Sequence, residues 1–146
     1  MSMQVKNIIN ISVFLICIAL INIAGQNIEL EIRGVNAFTF ILIVAVLVQV
    51  IFFIPSFLLK TEKYYDLVGS LTYITTISFA YFAVEDKTII DSIIYFYVMI
   101  WASRLGIYLF RRVQKDGKDV RFEKAKRHFF WFLQYWMGQA LWVCLT

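Results

Sequence analysis

The chain has 146 residues, 61% of them hydrophobic and only 16% charged, with a formal net charge of +4. Soluble domains run near half apolar and about a quarter charged. A chain this short has too little interior to hide the excess, so lipid must be the solvent for most of it. A single histidine, His128, and two cysteines in separate apolar runs, Cys17 and Cys144, leave nothing to build a metal centre or a Ser–His–Asp triad from, and no metal site is expected.

Five apolar runs reach the length of about 17–25 residues that crosses a bilayer as a helix. They cover residues 8–24, 37–59, 67–84, 89–110 and 129–146. The expected fold is therefore all-α, a polytopic membrane helix bundle with about five transmembrane helices in one domain, 1–146. The first run is read as an uncleaved span rather than a signal peptide, because only Lys6 precedes it and no small-residue cleavage site follows near residues 22–26. The connections alternate in charge. Glu29, Glu31 and Arg33 follow the first run, and Glu85, Asp86, Lys87 and Asp91 follow the third. Lys60 and Lys63 follow the second, and eight Lys and Arg residues from Arg111 to Arg127 follow the fourth. Because Lys and Arg set orientation, the second and fourth connections and the N-terminus are expected in the cytoplasm. The setting would be a bacterial inner membrane or the endoplasmic reticulum. The fifth run reaches Thr146 with no polar tail, which gives the expectation that these residues are the N-terminal part of a longer fold.

Polar residues inside the runs mark candidate sites. In the second run, Pro55 predicts a kink near the cytoplasmic end. In the third, Tyr65, Gly69, Thr72 and Thr76 share one helix face, with Asp66, Ser70 and Tyr73 beside it. That face serves either hydrogen bonding between helices or the wall of a polar chamber. In the fourth, Tyr97, Trp101, Arg104, Tyr108 and Arg111 make a continuous stripe. Arg104 lies about 10 Å into the membrane side of Arg111 at the helical rise. It either snorkels to the headgroups or faces inward to an anion or acid. Ala102 and Gly106 form a small-xxx-small pair suited to close packing. Asn22, Gln134 and Gln139 read as polar contacts between helices. The basic connection either fixes topology and attracts anionic headgroups or forms a more specific site, since Asp119 interrupts it and Asp116-Gly117 makes a turn. No GxGxxG and no GxxxxGK[ST] is present, and a loop pinned at both ends to the membrane is not a nucleic-acid surface.

Four pieces of the chain, in order, resemble one family: TEKYYDLVGSLTY at 61–73, the Arg-Leu-Gly-x-x-Leu-x-x-Arg pattern from Arg104 to Arg112, GKDVRFE at 117–123, and FFWFLQYWMGQALWV at 129–143. From about Lys60 onward the chain resembles the N-terminal half of steroid 5α-reductase-like membrane proteins, in their uncharacterised bacterial-type branch. The resemblance implies a helix bundle that binds NADPH from the cytoplasmic side and delivers hydride to a lipophilic enone, while an acidic side chain polarises the carbonyl. It places Arg104, Asp119 and Arg121 at the cofactor side and Tyr65, Asp66 and Tyr73 at the substrate side, and assigns no catalytic residue. The Arg-His-Pro-Asn-Tyr-like segment of the family is absent, since His128 is followed by Phe129 and Phe130. These residues alone are therefore not expected to bind NADPH, and a second chain or a C-terminal half is an expected partner besides the bilayer and a lipophilic substrate. Two other functions remain open: a non-enzymatic small membrane protein, and an isoprenylcysteine methyltransferase-like enzyme.

Overall fold

The computed structural model describes residues 3–25, 29–32 and 34–146, with the side chains of only some positions in the first helix. Gln26, Arg33 and the side chain of Lys6, which entered the reading of the loops, lie outside the described residues. Five helices follow in chain order: α1 (Met3–Gly25), α2 (Ala37–Leu58), α3 (Tyr65–Ala83), α4 (Ile89–Asp116) and α5 (Phe129–Leu145). A two-residue antiparallel ladder, β1 (Glu31–Ile32) with β2 (Val35–Asn36), links α1 to α2. The architecture is all-α, as the five apolar runs imply. The ladder and two short 3-10 turns, Val120–Phe122 and Ala125–Arg127, are not announced by the apolar pattern.

Helix ends follow local chemistry. The Asn36 side chain accepts from the Phe38 and Thr39 amides at 3.0 and 3.3 Å and starts α2. Thr88 and Asp91 form a reciprocal capping box at the start of α4. That helix runs past residue 110, where its apolar run ends, because Arg111, Arg112 and Lys115 are good helix formers. It stops at Gly117, whose φ of 78° closes the last turn, its amide donating a hydrogen bond to the Val113 carbonyl. Pro55 lies inside α2, which continues only to Leu58.

Helices α2 and α4 are long and apolar enough to cross a membrane. The 17 residues of α5 and the polar face of α3 put those two helices short of the same standard. In the bundle α3 lies between α2 and α4, and α5 closes against α2. The α3–α4 contact is close because Gly106 faces Ser70. A Cβ at position 106 would stand 2.6 Å from that of Ser70. Ala102, one turn away, is fully buried in the same seam. Polar side chains tie other pairs: Thr39 donates to Asn22 at 2.6 Å between α2 and α1, and Gln49 donates to Thr72 at 2.8 Å between α2 and α3. A mainly aromatic cluster of Phe53, Tyr65, Phe122, Phe132 and Trp136 holds α2, α3, α5 and the 117–128 connection together.

Candidate functional site

The basic connection is folded onto the bundle. Its two 3-10 turns, Val120–Phe122 and Ala125–Arg127, bury Phe122 and Ala125 in the aromatic cluster. Phe122 packs on Tyr65 with ring centroids 4.7 Å apart. This anchoring brings acids and bases distant in sequence into one network. Glu62, in the turn before α3, is 4% exposed. It accepts from the Asp119 amide at 3.1 Å and from Lys126 Nζ at 2.8 Å.

Next to it, Asp66 and Asp119 face Arg112 and Arg121. Arg121 Nε donates to both Asp119 carboxylate oxygens at 3.0 Å, and its Nη2 lies 3.4 Å from Asp66 Oδ2. Arg112 Nη2 stands 3.6 Å from Asp66 and 3.8 Å from Asp119. Both carboxylates are nearly buried while both guanidinium groups keep about half of their exposure. Hydrogen bonds from Arg121 hold the Asp119 carboxyl below the usual carboxylate range. Asp66, one residue before the apolar run that begins at Leu67, moves the other way. Burial raises it, against the pull of Arg121 and Arg112.

The network forms the mouth of a cavity of about 510 Å³ between α3, α4 and α5. Asp66 and Arg121 line its polar end, Ser70, Tyr73 and Gln139 one wall, and Trp101 and Leu105 another. Asp66 is the one carboxyl group among the described residues that line it. Gln139 packs against Gly69, and its Oε1 is buried without a hydrogen-bond partner. Such an atom normally finds one, so it marks a place where a ligand donor would be satisfied. Gly138 borders open space, with nothing within 4 Å of where a Cβ would stand.

The residues named from sequence fall into two groups. Tyr65, Asp66, Tyr73 and Arg121 all line the cavity, and Asp119 stands just behind Arg121. Arg104 is apart from them. It is exposed, on the face of α4 opposite the Ala102–Gly106 seam, and does not line the cavity. The polar face of α3 divides its work. Thr72 joins α2 through Gln49, while Asp66, Ser70 and Tyr73 face the cavity. Tyr65 does both, donating to the Tyr135 carbonyl at 2.9 Å. Gln134 and Gln139 also line the cavity rather than serving only as contacts between helices. Sequence reasoning missed Glu62 and Arg112 as partners of this site, although both lie within the quoted motifs.

Residues 52–146 match the family described as "Protein of unknown function (DUF1295)". No curated protein and no solved structure matches the chain.

Proposed function

The chain belongs to this DUF1295 family, and we propose that it is a multi-pass membrane protein whose α3–α4–α5 chamber binds a lipophilic molecule through a polar head. In this reading it supplies the substrate side of a steroid 5α-reductase-like oxidoreductase. The chamber carries the argument. Its volume of about 510 Å³ suits a small amphiphile, with aromatic and aliphatic walls and a few convergent polar groups. A ligand oxygen at the mouth would meet Asp66 and Arg121, and a donor further in would satisfy Gln139 Oε1. The apolar remainder of the ligand would lie along Trp101, Leu105 and Leu109.

NADPH, which the resemblance implies, is not expected to bind these residues alone. Arg112 and Arg121 are already paired with Asp66 and Asp119, and Arg104 lies outside the chamber. No hydride step is therefore assigned to these residues, and NADPH titrated onto residues 1–146 alone should give no saturable binding. The basic connection is proposed to face the cytoplasm, from its Lys and Arg content.

The experiment is ligand binding in lipid nanodiscs, followed by quenching of tryptophan fluorescence with a sterol enone as probe. Wild type should saturate. Gly138→Phe, which places a ring in the open space without a clash at its Cβ, should abolish saturation while helical circular dichroism stays unchanged. Equal binding by Gly138→Phe and wild type would remove the chamber reading. A wild type that responds to S-adenosylmethionine and not to the enone would favour methyl transfer.

A further inference from the structure

Of the outward face of α4, only Trp101 is used by the chamber. Tyr97, Trp101, Arg104, Tyr108 and Arg111 are all exposed, and only 11% of the helix's apolar window is buried inside the bundle. Lys115 continues the stripe one turn further. Arg104, Ile107, Tyr108, Arg111, Arg112 and Lys115 line one groove of about 740 Å³, together with Asp116. Arg104, Arg111 and Lys115 take part in no ion pair among the described residues, whereas Arg112, in the same groove, is held by two carboxylates. With Arg112 already neutralised by its carboxylates, three further cations against Asp116 leave the groove positive.

Depth makes the groove more than a topology signal. The 28 residues of α4 span about 42 Å, against a hydrocarbon core of about 30 Å. With its capped N-terminus at one interface, the end from Arg111 onward reaches the other headgroup layer. Arg104 lies about 10 Å below Arg111, several residues inside the edge of the hydrocarbon core that begins near Tyr108. Side chains on a helix lean toward its N-terminus, which here is toward the bilayer centre. Arg104 therefore rises to the headgroups only against that lean. A lipid headgroup that settles into the groove needs no such reach, and Tyr108 offers it a hydroxyl between the two arginines.

We propose that this face of α4 holds one anionic phospholipid, its phosphate against Arg111 and Lys115 and its glycerol-ester region against Tyr108 and Arg104. The occupant follows from charge complementarity and from a stripe that runs from the phosphate level at Arg111 and Lys115, past the ester level at Tyr108, to Arg104 just beneath it.

The test uses the full chain in nanodiscs, with native mass spectrometry to count retained lipids after exchange between phosphatidylglycerol and phosphatidylcholine. Wild type should retain one phosphatidylglycerol. The triple variant Arg104→Gln, Arg111→Gln, Lys115→Gln should hold it roughly 100-fold less tightly, at about five-fold for each cation lost. The single variant Arg111→Glu, at the exposed end of the helix, should also weaken it and guards against misfolding of the triple variant. A control with the same charge change elsewhere on the basic connection (Lys118→Gln, Lys124→Gln, Arg127→Gln) should retain the lipid. Equal loss in that control would reduce the effect to overall charge and overturn the site. So would stabilisation of wild type by inorganic phosphate but not by phosphatidylglycerol. A wild-type dimer that carries no lipid and becomes monomeric in the triple variant would assign the face to a second copy instead.

Discussion

Glu62→Ala should be the most damaging substitution outside the aromatic cluster. The carboxylate is 4% exposed and joins three pieces of chain: the turn before α3, the Asp119 amide at 3.1 Å, and Lys126 at 2.8 Å. Removing it strands a part-buried amide, at about 1–3 kcal/mol. It also strips the counter-charge from Lys126. Breaking a fully buried pair costs about 3–5 kcal/mol, but the Lys126 side chain keeps 21% exposure and turns toward water. The two effects overlap, and the expected loss is about 2–4 kcal/mol. Glu62→Gln preserves an acceptor for the Asp119 amide and gives up only the charge, so it should cost about 1–2 kcal/mol.

The assay is reversible unfolding in mixed micelles, with a double-mutant cycle against Lys126→Met. The two sites should couple by about 1–3 kcal/mol. Protease sensitivity within 117–128 should rise in Glu62→Ala, because Phe122 and Ala125 are seated by the same anchor. A Glu62→Ala protein within about 0.5 kcal/mol of wild type, or strict additivity with Lys126→Met, would show that the pair is a surface contact and refute the reasoning.

Gly106→Val should destabilise by about 1–3 kcal/mol, since its Cβ meets Ser70 across the α3–α4 seam, while Gly138→Ala should stay within about 0.5 kcal/mol in the same unfolding assay. Asp119, held below the ordinary carboxylate range by Arg121, contributes stability above its unfolded value near 3.9, and that contribution is lost as pH falls through its lower folded value. Asp119→Asn should therefore be less stable than wild type at pH 7 and lack the part of the acid decline below about pH 4 that this group causes; parallel pH profiles for the two proteins would contradict the pairing. For topology, Lys118→Cys and Lys63→Cys in a background with Cys17 and Cys144 replaced should be shielded from an impermeant thiol reagent in intact cells, and Glu31→Cys and Glu85→Cys should react. Labelling at position 118 from outside would reverse the orientation.

Helix order, the Ala102–Gly106 seam and the existence of a polar face on α3 were legible in the sequence because each depends on spacing within one helix. Contacts across the bundle were less so. Glu62 looks like an ordinary charged turn residue in TEKYYD, and its burial is decided by donors that arrive 57 and 64 residues later. Arg112 sat in a quoted motif, but its pairing with Asp66 needs α4 to continue as a helix beyond its apolar run, which hydropathy does not register and helix propensity does. The facing of Arg104 shows the deeper reason. The 4-3-4-3 stripe is equally regular whether turned inward or outward, so periodicity alone leaves its direction open. What decides it is the opposite face: Ala102 and Gly106 are the residues small enough to let α3 approach, and α3 meets them with Ser70. Once that seam closes, Arg104 is carried to the outside by the geometry of the helix. The acids that pair with Arg112 and Arg121 are then on the other side of the helix, and Arg104 is left exposed on its outer face.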